Sequence, residues 1–176
     1  VISYSNDEGE TYTLPAPVID TVLDDRDGGI VPFGKSNVFV SSFNNTVRFQ
    51  RQFADAYSLA YLDTVTSEEQ DQYLGATFRI SNDYGITFGD LHKSPVTSPH
   101  GPVELSDGSL LWVGRTFSPE NSQMLGRDSI QAHKIYPDGT AEYVGKIDNI
   151  IDGDIPALSC EPHTILLEDG TLLVHI

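Results

Sequence analysis

Ser5-Asn6-Asp7-Glu8-Gly9-Glu10-Thr11-Tyr12 and Ser81-Asn82-Asp83-Tyr84-Gly85-Ile86-Thr87-Phe88 are two copies of one pattern, S-N-D-x-G-x-T-aromatic, with five identical positions. The pattern encodes a tight hairpin turn. The Asp side chain accepts backbone N–H groups inside the turn, the Gly takes a positive φ, and the aromatic packs beneath it. Asp7 and Asp83 are therefore expected to be structural and neither catalytic nor metal-binding. Outward from these turns the periodic segments have strand character: Asn37 to Phe43, Leu59 to Leu62, Ala76 to Ile80, Gly101 to Leu105, Ser109 to Phe117 and Thr164 to Leu167. They are short, β-branched or aromatic, and separated by Gly, Asp, Asn and Pro. Ser109 to Phe117 is apolar on both faces, the pattern of a strand covered on each side. The single helical expectation is Thr66 to Leu74, where Thr66 and Glu69 form a capping-box pattern and Gly75 a stop. The chain is expected to be all-β with this helix as an insertion.

A second repeat links Ser98-Pro99-His100-Gly101-Pro102-Val103-Glu104-Leu105-Ser106-Asp107-Gly108-Ser109-Leu110-Leu111 to Glu161-Pro162-His163-Thr164-Ile165-Leu166-Leu167-Glu168-Asp169-Gly170-Thr171-Leu172-Leu173. Each is a Pro-His pair, an apolar strand, an Asp-Gly turn and a second apolar strand. Arg26-Asp27-Gly28-Gly29-Ile30-Val31-Pro32-Phe33-Gly34 is a weaker third copy. Repeats spaced by tens of residues in an all-β chain point to a propeller or another repeat array. In a propeller, equivalent positions of successive blades converge on one axis. Arg26, Asp27, His100, Glu161 and His163 would then line one pocket; the alternative is that they are turn and capping residues kept by duplication.

The two S-x-D-x-G-x-T-aromatic stretches (Ser5, Asp7, Gly9, Tyr12; Ser81, Asp83, Gly85, Phe88) resemble the Asp boxes of sialidases and related six-bladed propellers. His100 to Val113 is similar to the sialidase strand pair that follows an Asp box. Glu161 to Val174 is similar to the segment that opens on a catalytic Glu and runs through a D-G turn. Tyr136-Pro137-Asp138-Gly139-Thr140 occupies the place of a further Asp box with its turn kept and its consensus lost. The resemblance implies a six-bladed β-propeller of which about three blades are represented: the end of one blade (1–14), a blade with a short helical insertion (15–91), a second blade (92–147) and the first hairpin of the next (148–176). It implies a retaining glycoside hydrolase acting on terminal sialic-acid-type sugars. Its nucleophile would be a Tyr, which is a poor nucleophile near neutral pH until a neighbouring base takes its proton; Glu161 would be that base. That Tyr, the arginine triad and the acid/base Asp would lie outside this sequence. The resemblance carries chemistry onto Glu161 alone; Arg26, Asp27, His100 and His163 would bind substrate by their convergence on the propeller axis, and the two His are departures from the family's pocket. The alternatives are a carbohydrate-binding propeller without chemistry, or a hydrolase of a different glycoside.

Composition narrows the partners. Ten Lys plus Arg against 26 Asp plus Glu give a formal net charge of −16, a field that repels phosphate backbones and excludes nucleic acid. No stretch approaches the roughly 20 apolar residues of a membrane span. The partners expected are a glycan or small sugar and the remaining blades of the same propeller. No cofactor or metal is expected: the five His residues form no zinc pattern, and Asp24, Asp25 and Asp27 lack the spaced acidic pattern of a calcium loop. Arg115 is expected to be structural, pairing with an acid between blades, and Arg48 and Arg51 to be solvated. Cys160 is expected to be a small buried residue, and Asn44-Asn45-Thr46 matches a glycosylation sequon. The chain starts on Val1-Ile2-Ser3-Tyr4 and stops on Leu172-Leu173-Val174-His175-Ile176, strand-like at both ends. It reads as a segment of a longer chain, so missing targeting signals leave the compartment open.

Overall fold

The computed structural model describes residues 1–116, 130–148, 151–152, 155–156 and 159–176. The protein is mostly β, built from antiparallel sheets. The first sheet is a meander of β1 (Arg26–Phe33), β2 (Asn37–Asn44), β3 (Gly75–Ser81) and β4 (His92–Lys93), hydrogen-bonded in that order. Between β2 and β3 lie three short helices, α1 (Val47–Gln50), α2 (Ala56–Leu62) and α3 (Ser67–Tyr73). In the second sheet β5 (Val96–Thr97) and β6 (Val103–Glu104) both pair with β7 (Leu110–Thr116), followed by β8 (Ile130–Ile135) and β9 (Ala141–Ile147). β5 and β6 are thus two halves of one interrupted first strand. A small hairpin, β10 (Ile151–Asp152) and β11 (Ile155–Pro156), precedes the pair β12 (His163–Leu166) and β13 (Leu172–His175).

The core lies between the two sheets. Phe33, Phe39, Phe78 and Ile80 from the first meet Val96, Leu110, Trp112 and Ile135 from the second, all essentially without solvent contact. Phe39 stacks on Phe78 with ring centroids 5.1 Å apart and meets Trp112 edge-on at 5.3 Å. Offset and edge-to-face contacts of this kind suit the ring quadrupoles and add to the area term. On the opposite face of β7, Leu111 and Val113 pack with Ile130 and against Val174 of β13. The sequence of β7 required cover on both faces, and both are covered; Phe117, the last residue of the expected strand, lies outside the described residues.

The two repeated turns have nearly the same geometry. Ser81 Oγ donates to Asp83 Oδ1 (2.7 Å) and accepts from Gly85 N (2.8 Å), while Asp83 accepts from Thr87 N (2.8 Å) and Thr87 Oγ1 (2.6 Å). Ser5, Asp7, Gly9 and Thr11 repeat these bonds. The x residue and the Gly are left-handed in both copies, with φ of 59° and 92° at Glu8 and Gly9 and of 62° and 83° at Tyr84 and Gly85. The aromatic differs between copies: Phe88 is half-buried, whereas Tyr12 is 66% exposed, reaching back over its own Gly9. Tyr4 Oη donates to the Gly85 carbonyl, joining the two turns. The second turn connects β3 to β4, and Tyr136–Thr140 connects β8 to β9 at the corresponding place of the second sheet, with Thr140 N donating to Asp138 (3.0 Å).

The helical segment exceeds the sequence expectation. α3 forms with its reciprocal cap, Glu69 N donating to Thr66 Oγ1 (3.2 Å) and Thr66 N to Glu69 Oε2 (2.9 Å). Leu59 to Leu62, expected as a strand, belongs to α2 instead. Asp55 caps that helix by accepting from Ser58 N at 2.8 Å, and the turn so started places Leu59 and Leu62 together on the inner side. A four-residue apolar run is equally consistent with either period, and the cap decides. The sequon at Asn44 is not an exposed one: Asn44 has no exposed surface, and its Nδ2 donates to Asp25 at 3.0 Å.

Thr87 and Thr11 hydroxyls, followed by their backbone N–H groups and the serine hydroxyls, hold the Asp83 and Asp7 carboxyls at a pKa of about 2. Their ordinary value is near 3.9. Because the folded value is depressed, their contribution is complete above pH about 4 and is lost as pH falls towards 2. Asp83→Asn should therefore lower the thermal midpoint at pH 6 and flatten its decline between pH 4 and 2; parallel midpoint curves for variant and wild type would show that the turn carboxylate does not contribute. Phe39→Ala should cost about 3–5 kcal/mol, read as urea unfolding, and should shift Trp112 emission to the red in the folded state as water reaches the indole.

Candidate functional site

The sheets bring the starts of β1, β6 and β12 side by side, β1 against β6 and β6 against β12. Gly29 makes the first of these approaches: a Cβ there would stand 3.0 Å from the Cα of Gly101 and 2.9 Å from Ser41 Oγ, so only a bare backbone fits. The second is closed by Ser98, whose buried hydroxyl donates to the carbonyl of Pro162 at 2.5 Å. Pro162 is itself fully buried, which leaves its neighbours Glu161 and His163 exposed on either side.

Each of the three related segments carries one left-handed residue near the start of its strand: Asp27 (φ 53°), Gly101 (φ 70°) and Glu161 (φ 53°). At Asp27 this sits in the bulge of β1, where the register shifts between Arg26 and Gly29. For Glu161 the conformation is costly. Non-glycine residues rarely adopt it, and a residue preceding proline is further pushed towards extended backbone. A conformation worth about 1–3 kcal/mol of strain persists where the surroundings enforce it, and such residues concentrate at functional sites.

Asp27 and Glu161 line one cavity of about 170 Å³ together with Phe43, Thr97, Arg115 and Cys160. His100 and His163 stack beside each other, ring centroids 5.0 Å apart and 28° from parallel. Arg26 does not line this cavity. Its guanidinium pairs with Asp24, and it borders a neighbouring cleft of about 350 Å³ formed with the helical segment. Of the five residues singled out from the sequence, two share the cavity, two form the histidine stack, and the fifth faces the adjoining cleft.

Two further residues belong to the cavity. Arg115 reaches it because β7 pairs with β5 across Thr97. Cys160, expected to be buried, is exposed on the cavity wall. The buried position in this segment goes to Pro162, and the left-handed turn at Glu161 leaves the thiol outside. The cavity is thus lined by two acidic residues and one arginine. Among the described residues no group of three or more His, Cys, Asp and Glu is placed to hold a metal ion, and no helix is long and apolar enough to cross a membrane.

If the backbone at residue 161 is held left-handed for function and not for folding, Glu161→Gly should keep or raise the thermal midpoint, because glycine relaxes the conformation. A fall of several degrees would instead make the Glu161 side chain a structural element. Comparisons of the chain with protein-family models, with curated proteins and with solved structures find no match to any of them.

Proposed function

We propose that the chain is the central part of a six-bladed, sialidase-like β-propeller and that the protein is a glycoside hydrolase acting on terminal sialic-acid-type sugars. The two four-stranded meanders are its second and third represented blades, the turn at Ser5–Tyr12 ends the first, and β12 and β13 open the fourth. The observation that carries the reading is the meeting of Asp27 and Glu161 in one cavity. Their segments are related by sequence and lie far apart in the chain, and each of the two residues has a left-handed backbone, although at different positions of the repeat. Duplicated turns with a purely local role have no reason to converge on a shared concavity.

The chemistry follows from the groups present. A sugar acid offers hydroxyls, which bond to carboxylates, and a carboxylate, which suits a guanidinium fork; Arg115 lies in the cavity for the second task. Glu161 acts as the base that takes the proton of a tyrosine nucleophile contributed by chain outside residues 1–176. The left-handed backbone turns the chain so that its side chain lies on the cavity wall. His100 and His163 form a flat aromatic edge against which a substrate can be positioned.

Glu161→Gln keeps the shape and removes the base. In the intact protein kcat on an aryl sialoside should fall by about 10²–10⁴, with the thermal midpoint unchanged. A wild type that binds sialosides and never turns them over would make the protein a carbohydrate-binding propeller. Turnover of a different glycoside, abolished by the same substitution, would keep Glu161 and replace the substrate.

A further inference from the structure

We infer that the cleft beside Arg26 is a separate subsite for a neutral sugar ring, so that the protein takes an extended glycan rather than a single terminal residue; this rests on the carbohydrate reading above. The cleft measures about 350 Å³ and has two unlike walls. Phe53, Tyr57 and Tyr61 form one, and the Asp24–Arg26 ion pair stands in the other. Tyr57 and Phe53 are 85% and 73% exposed, a heavy solvent exposure for large rings on a folded surface.

The match to a sugar is chemical. A pyranose has an apolar C–H face, which packs on an aromatic ring, and a rim of hydroxyls, which bond to a carboxylate and a guanidinium at once. A polypeptide segment laid into the same cleft would have to strip water from the ion pair, whose side chains remain nearly half exposed, and would gain little in return. Two of the three rings are also held in place before any ligand arrives. Tyr61 Oη donates to the Val22 carbonyl at 3.1 Å, and Phe53 leans on Phe49 with centroids 5.3 Å apart. Preformed aromatic walls lose little entropy on binding.

The cleft adjoins the cavity of Glu161. Arg26 borders the first and Asp27 the second, and Phe43, which pairs with Arg26 across the sheet, lines the second as well. A glycan that extends from the cavity into the cleft would set its second ring against Tyr57 and Phe53. The helical segment between β2 and β3 supplies that wall and so sets which glycans are accepted.

The test uses three neutral disaccharides, lactose, cellobiose and N-acetyllactosamine, titrated by calorimetry into the intact wild type and into F53A, Y57A and Y57F. At least one disaccharide should bind the wild type. Affinity for it should fall about tenfold in F53A and Y57A, and stay within about twofold in Y57F. Failure of all three to bind, or equal affinity in F53A, Y57A and wild type, overturns the subsite. A thermal midpoint lowered by several degrees in F53A and Y57A with unchanged binding also overturns it, and makes the rings a packing surface for another part of the protein. Sialoside turnover is scored separately. Its absence would sink the hydrolase reading and leave an observed disaccharide subsite standing.

Discussion

At Gly29 and Gly101 two strands from different sheets approach so closely that no side chain fits between them. The rest of the arrangement depends on this approach. Because the backbones nearly touch there, the first strands of the two sheets run side by side at one end, and the faces behind them close on the ring cluster of Phe39, Phe78 and Trp112. The cluster provides cohesion but is not directional. The glycine contact provides the direction, since it fixes where along their lengths the sheets must meet. Ser98 then extends the arrangement to β12 through a single buried hydrogen bond, a bond that costs more to leave unmade than it contributes when made.

Glu161 lies at the end of this chain of constraints. Pro162 has no surface and its carbonyl is held by Ser98, so the chain before it must turn sharply to leave the interior. A glycine would make that turn without strain. A glutamate there places a carboxylate on the cavity wall beside Asp27, with the following residue held by Ser98. Stability and the direction of one carboxylate are thus opposed at a single residue, the usual relation at sites where a side chain has a task besides packing.

Much of this was legible in the amino-acid order. The S-N-D-x-G-x-T turns specify their own hydrogen bonds, since every group they need lies within a few residues, and they formed with the expected bonds and positive φ. β7 declared its two-sided burial through an unbroken apolar run. Thr66 and Glu69 marked the start of α3. Leu59–Leu62 reads as a strand from the run alone because a short apolar run carries no period of its own, and the deciding residue, Asp55, lies outside the run. Arg115 and Cys160 could not be placed by local reasoning. One reaches the cavity through the pairing of β7 with β5, the other through the displacement of the buried position to Pro162. Both depend on partners remote in sequence. The aromatic wall was missed for the same reason as α2: Tyr57 and Tyr61 lie one helical turn apart only once the helix is known.

The position of the three helices bears on how such a molecule can change over evolutionary time. They interrupt a β2–β3 connection that a two-residue hairpin could make. Lengthening a loop from a hairpin to the span of residues 45–74 is about four doublings, or about 2 kcal/mol of closure entropy. A few bonds anchor the excursion locally, from Val47 N to Gln70 (2.8 Å) and from Lys93 Nζ to the Asp71 carbonyl (2.7 Å), and none involves the ring cluster between the sheets. A differently composed excursion could replace this one at a similar entropic cost while β2 and β3 kept their register. One wall of the cleft is therefore open to rapid sequence drift, on a frame whose glycine contact admits almost none.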